Sequence, residues 1–261
     1  MLLQFSLNSA EARRLLAAGF WRWPVVTGAG RVILCRSTTA ATLLVHRWPE
    51  FPWQSFVAGI VARDGVTVQR QPAAEAVVRD QSWVQQPLGE ITDLSSDDLI
   101  IKSANAYDGQ WAGVLLGHRA GFGTMGRIYP ELERSGKAAG CAAKVISPML
   151  SEKLLPAGSL RESGYPDLAL GWPSRFLVFR PDRIFDEGDA LRELGANKVR
   201  IVSRGASHDG HSVTTYHVAV DDEAAPSLLA AVDAVKGAQP LAFAVGPALA
   251  GDDGGSWRDS R

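Results

Sequence analysis

One segment constrains this chain more than any other: a short apolar run, a polar turn and a helical stretch in immediate succession. Arg31-Val-Ile-Leu-Cys35 is rich in β-branched and aliphatic residues, the pattern of a strand buried on both faces of a parallel sheet. Arg36-Ser37-Thr38-Thr39 follows, and residues 40–47 read as a helix. Strand, turn and helix in that order predict an α/β fold. In such a sheet ligands bind outside the carboxyl ends of the strands. A helix N-terminus there offers unpaired N–H groups and a partial positive charge. Ser37, Thr38 and Thr39 add hydroxyl donors, and Arg36 adds a full charge. The same residue types also make an ordinary helix cap.

The rest of the chain fits that class. Residues 98–102 and 141–147 read as further buried strands, residues 56–62 with 66–68 as two strands around Asp64-Gly65, and residues 111–117 as another. Residues 9–19 read as a helix capped by Asn8 or Ser9 and ended by Gly19. The expected architecture is an open, mainly parallel sheet with helices on both faces. From residue 186 the pattern changes to helix, strand, strand, helix, which predicts a small α+β lobe. The expected division is therefore an α/β anion-binding domain over 1–180, the lobe over 181–246, and a flexible Gly-, Asp- and Ser-rich tail over 247–261.

Composition narrows the partners. With 27 basic and 28 acidic residues the net charge is −1, so no global basic excess exists to hold nucleic acid by counterion release. No run of about 18 apolar residues suggests a membrane span. Two cysteines, Cys35 and Cys141, are too few for a disulfide framework. A cytoplasmic setting is the expectation.

Three further segments carry candidate chemistry. Lys102-Ser-Ala-Asn105-Ala-Tyr107-Asp108 directly follows an apolar strand. Lys102 there can clamp a phosphate or polarise a carbonyl, Asn105 can orient it, and Asp108 can move a proton. Gly121-Phe-Gly123-Thr124-Met-Gly126 has the spacing G-x-G-x-x-G. It lacks the acidic residue about 20 positions on that a dinucleotide site requires, so it is read as an opposing wall of backbone N–H groups. No cofactor is expected. His208, His211 and His217 lie close in sequence, but no cysteine or acidic cluster accompanies them, and no metal site is assigned. The eight Trp residues are read as packing.

Two of these stretches carry a resemblance. Arg31 to Thr39 resembles the first strand and phosphate loop of the superfamily that holds ribose-5-phosphate isomerase, glucosamine-6-phosphate deaminase and the coenzyme A transferases. Ile100-Ile-Lys-Ser-Ala-Asn-Ala-Tyr-Asp108 with Gly117-His-Arg-Ala-Gly-Phe-Gly-Thr-Met-Gly126 resembles paired motifs of an uncharacterised bacterial and archaeal group in that superfamily. The similarity spans roughly residues 9–155. It implies that Lys102 contacts substrate and that Ser37, Thr38 and Thr39 hold a phosphate. The isomerase's catalytic glutamate has no counterpart; Trp111 falls near its place, and Asp108 is the nearest carboxylate. The expectation is binding, and isomerisation, of a small phosphorylated or carboxylated metabolite, in a chain that can pair as a homodimer. The competing expectations are a non-catalytic sensor that keeps the anion loop, and a coenzyme A-linked transferase.

Overall fold

The computed structural model describes residues 1–57, 59–62, 65–68, 74–87, 90–91, 94–116, 143–160, 175–206 and 211–241. The glycine loop at 121–126, residues 127–135, which the sequence reads as a helix, the carboxylate Asp93, Cys141, Asp64, His208 and the tail at 247–261 lie outside these residues.

The chain opens with β1 (Leu2–Asn8), a strand that its mixed sequence does not announce. Asn8 ends it and caps α1 (Ser9–Phe20): its Oδ1 accepts the N–H groups of Ala10 and Glu11, and the Glu11 carboxylate accepts the Asn8 N–H. This reciprocal box satisfies donors that the first turn cannot pair internally. A short α2 (Pro24–Thr27) leads to β2 (Arg31–Leu34) and α3 (Thr38–Arg47), as the sequence predicts. Then come the hairpin β3 (Gly59–Ala62) and β4 (Gly65–Val68), and a second hairpin, β5 (Glu75–Arg79) and β6 (Ser82–Gln86). The second hairpin turns through Asp80 and Gln81, both at positive φ (48° and 63°). Two such residues in a two-residue loop make the tight turn that matches strand twist. Neither is glycine, so the usual hairpin signal is missing from this stretch of sequence.

Next follow β7 (Asp98–Ile101), β8 (Ala106–Tyr107), β9 (Ala112–Leu116), β10 (Lys144–Pro148), β11 (Arg175–Phe179) and β12 (Arg183–Phe185). The chain closes with α4 (Glu187–Glu193), β13 (Ala196–Ala206), β14 (Ser212–Val220) and α5 (Ala225–Asp233).

The central sheet has six strands in the order β12-β10-β7-β2-β5-β6. The first four are mutually parallel, and the β5–β6 hairpin completes the sheet antiparallel. The class is thus mixed α/β with a mixed sheet. Alternation sorts the side chains. Val32, Leu34, Leu99, Ile101 and Ile146 pack with α1 and α3 on one face. Ile33, Ile100 and Val145 pack on the other face with Ala112 and Val114 of β9 and Phe179 of β11. The sequence pattern predicts helices on both faces. Among the described residues, the second face is instead covered by the antiparallel sheet β11-β9-β8. A short apolar run such as that of β9 suits either a strand or a buried helical segment, and pattern alone does not say which face a strand will cover.

The lobe is also more tightly joined than its position in the sequence suggests. β1 pairs antiparallel with β14, and β13 flanks β14 on the other side. The first strand of the chain therefore belongs to the sheet made by its late strands. α1 crosses α4 closely at Gly19, where a Cβ would lie 2.4 Å from the Ala190 Cα. Trp21 and Trp23 are core residues, as expected: the Trp21 indole N–H donates to the Leu43 carbonyl, and Trp23 stacks on Phe185.

Candidate anion-binding site

The carboxyl ends of β2 and β7 meet where the sequence places the site. The Cys35 N–H donates to the Ile101 carbonyl, and the Lys102 N–H donates to the Ile146 carbonyl. These bonds extend the parallel ladder one position past the last strand residues. Cys35, Lys102 and Ser147 are therefore neighbours across three strands. Glu75 adjoins Cys35 on the other side, because Leu34 pairs with Ala76 in the antiparallel register. All four stand two positions beyond the apolar row Val77, Ile33, Ile100 and Val145, and so on the same face.

This polar row is deeply buried. Lys102 is only 6% exposed, and Glu75, Cys35 and Ser147 are buried still further. Charges at such depth are normally paired and hydroxyls normally bonded. Glu75 obeys the rule: its carboxylate accepts the Arg36 N–H at 2.7 Å and the Arg36 Nε–H at 3.3 Å. Lys102 and Ser147 do not. Among the described residues the Lys102 ammonium has no hydrogen-bond or ion-pair partner, and the buried Ser147 Oγ has none either. Burial, with Glu75 in second place, pushes the Cys35 thiol far up, while Lys102 and Arg36 oppose that rise. The thiol is held neutral and is not a nucleophile.

The helix that starts here presents the second element. Ser37 caps α3: its Oγ accepts the Ala40 N–H at 3.0 Å, and its carbonyl accepts the Ala41 N–H. The N–H groups of Thr38 and Thr39 precede these and have no acceptor within the helix. Ser37 Oγ also lies 3.0 Å from Ser103 Oγ, which joins the turn after β2 to the turn after β7. Ser37, Thr38, Thr39 and Lys102 thus share one edge of the sheet.

Three expected site residues have other work. Arg36 is turned to Glu75, which takes its Nε–H. Asn105 is exposed, and its Oδ1 accepts the Leu115 N–H at 3.0 Å, which pins the loop to β9. Asp108 accepts backbone N–H groups from Trp111 at 2.8 Å and from Gln110 and Gly158 at 3.2 Å. The Trp111 bond, with the others behind it, holds the carboxyl below its usual range. A carboxylate so stabilised is a poor proton acceptor. It shapes the β8–β9 turn, where Gly109 stands at φ +87°. Gly121, Gly123, Thr124 and Gly126 lie outside the described residues.

Sequence pattern does not reveal the other side of this edge. Lys153, in a single helical turn after β10, donates to the Ala104 carbonyl at 2.8 Å. Its ammonium is lowered to about 8, by burial first and by Arg13 second, with Glu152 opposing. Arg13 of α1 is itself lowered by burial, and its buried Nε has no hydrogen-bond partner among the described residues. Glu152 accepts from Ser9 Oγ at 2.9 Å. Close by, the buried Glu187 accepts Ser151 Oγ at 2.5 Å, the Ser151 N–H at 2.9 Å and the Tyr216 hydroxyl at 2.9 Å. That knot ties the lobe's β14 to the loop after β10. Nothing local in the sequence marks these residues, since they meet only through the fold.

At the opposite edge of the sheet lies an open polar cavity of about 480 Å³, lined by Gly30, Arg31, Arg79, Gln86, Glu90, Ser95, Asp97 and Asp98. Its central charges are already matched: Arg31 holds Asp98 through Nε at 2.9 Å and through a second nitrogen at 2.6 Å. The carboxyl edge, with a cation unmatched among the described residues, is the stronger candidate. Among the described residues no group of three His, Cys, Asp or Glu side chains is placed to hold a metal. His217 Nε2 lies 2.8 Å from Gln4 Oε1, across the β1–β14 ladder. No helix among the described residues is long and apolar enough to cross a membrane. No protein-family model, curated protein or solved structure matches the chain.

Proposed function

We propose that the carboxyl edge of the central sheet binds a small phosphorylated or carboxylated metabolite. The observation that carries this reading is the buried Lys102, whose ammonium has no partner among the described residues. A cation on a largely buried side chain, with no partner among the described residues, is stabilised by an anion from outside. Ser37, Ser103 and the first N–H groups of α3, a helix that packs on the face of the sheet opposite Lys102, supply hydrogen bonds to the same ligand where it spans the carboxyl edge. The resemblance to sugar-phosphate enzymes agrees with this chemistry.

A sensor that binds without catalysis is favoured over an isomerase by one further observation. Isomerisation needs a base near the carbonyl that Lys102 would polarise. Among the described residues Asp108 is engaged by backbone donors, Glu75 by Arg36, and Glu90 lines the cavity at the opposite edge; Asp93 lies outside the described residues.

The test is calorimetric titration with inorganic phosphate and with sugar phosphates of three to six carbons, on the native chain, Lys102→Met and Arg79→Ala. The reading expects saturable binding that Lys102→Met abolishes and Arg79→Ala leaves intact. Binding lost instead in Arg79→Ala would move the site to the other edge. Absence of binding in the native chain would end the proposal, and turnover of any sugar phosphate would restore the isomerase.

A further inference from the structure

The carboxyl edge holds more positive charge than one anion requires. Ser9 and Arg13 are four residues apart on α1 and so share a face. Ser9 grips Glu152 on that face, which brings Arg13 beside the turn that carries Lys153. Arg13 makes no ion pair among the described residues, and its buried Nε has no acceptor there. Lys153 reaches the same locality from the other side, and its hydrogen bond among the described residues is to a neutral oxygen, the Ala104 carbonyl. Ala104 directly follows Ser103, whose hydroxyl contacts Ser37. Lys153 therefore reaches to one peptide from the edge occupied by Ser37, Ser103 and Lys102, and Arg13 acts on Lys153 from α1. Among the described residues one carboxylate, Glu152, acts on both cations, and the half-buried setting makes the excess costly.

We propose that Arg13 and Lys153 form a second anion subsite, so that the ligand carries two acidic groups. One group is held at Lys102 and the start of α3. The other lies between the Arg13 guanidinium and the two Lys153 N–H donors not used by Ala104. A phosphorylated hydroxy acid or sugar acid has this chemistry, whereas a neutral sugar phosphate meets only half of it. The inference rests on the proposed function and adds the class of ligand.

The experiment compares phosphorylated hydroxy acids of two to five carbons with alkyl phosphates of the same lengths. Each is titrated into the native chain, Lys153→Met and Lys153→Gln. At least one phospho-acid is expected to bind the native chain tenfold or more tightly than its alkyl phosphate. Both variants are expected to erase that preference while alkyl phosphate affinity stays within twofold, which also shows that the variants are folded. Equal affinities in the native chain overturn the second subsite and leave the first standing. Equal loss of both ligand types in the variants makes Lys153 a structural residue and overturns it too. If neither ligand binds the native chain, both proposals fall together.

Discussion

Lys102 and Ser147 stand side by side on adjacent parallel strands, both buried, and neither has a hydrogen-bond partner among the described residues. Each alone is a destabilising residue for a sheet core. Together they make this row a costly part of the sheet core. Replacing Lys102 by Met is therefore expected to stabilise the unliganded protein by about 1–3 kcal/mol. In a chain this long that raises the thermal midpoint by roughly 2–4 °C per kcal/mol. On the proposed function the same variant is expected to lose phosphate binding. A variant that unfolds earlier than the native chain would show that the ammonium is satisfied.

Cys35 offers a simple check on that interior. Its thiol is buried and held protonated by burial and by Glu75. In a Cys141→Ser background the native protein is expected to resist thiol-specific reagents at pH 8, and to react fully once unfolded in guanidinium. Rapid labelling of the native state would mean that water reaches the row.

Gly19 and Ala190 test the joint between α1 and α4. A methyl group at Gly19 would lie 2.4 Å from the Ala190 Cα and 2.6 Å from its carbonyl oxygen. Gly19→Ala is expected to cost about 1–3 kcal/mol through overpacking, beyond any gain in helix propensity. Ala190→Gly should not rescue it, because the clash is with backbone. Denaturant unfolding of the two single variants and the double variant checks both statements.

Asp98 gives the acid limb of stability. Burial alone would raise its pKa, but the Arg31 hydrogen bond, the Ser95 N–H and the Arg31 charge outweigh it and hold the carboxyl below its usual value. A depressed carboxyl contributes stability above its unfolded pKa of about 3.9 and loses it as pH falls through the folded value. Asp98→Asn is expected to destabilise by about 2 kcal/mol at pH 7, with the deficit shrinking below pH 4. A deficit that is constant between pH 3 and pH 7 would contradict this.

Lys153 gives the alkaline signature of binding. It faces Arg13 from α1 and Glu152 from its own turn, and its ammonium titrates near 8 in the free protein. A bound anion favours the charged form and raises that value. Binding of a phospho-acid at pH 8.5 is therefore expected to take up a fraction of a proton, read from calorimetry in buffers of different ionisation enthalpy. Lys153→Met should show less uptake.

Part of the candidate site is legible in the sequence. Ser37, Thr38, Thr39 and Lys102 are readable because each closely follows an apolar run, and strand ends are where α/β sheets gather their ligands. The capping of α1 by Asn8 is readable for an equally local reason. Glu75, Ser147, Arg13 and Lys153 are not, since each depends on which strands and helices become neighbours. Asp108 misleads because a carboxylate after a strand looks the same whether it faces a ligand or closes a turn. β1 is hidden by its near-even mixture of polar and apolar residues.

The pairing of β1 with β14 has a consequence in time. Phe5 lies opposite Tyr216, at the far end of the chain. Long-range strand pairing must overcome loop-closure entropy before it yields any contact, and topologies rich in it reach the native state slowly. During synthesis the first strand emerges long before its partner exists. For that interval its exposed strand edge is open to other chains. The residues after α5 already return to the start of the chain, where the Gly237 N–H donates to the Glu11 carboxylate. A circular permutant that links residue 241 to Met1 and opens at the Asp80 turn brings the two strands close in sequence, and it should refold faster than the natural order.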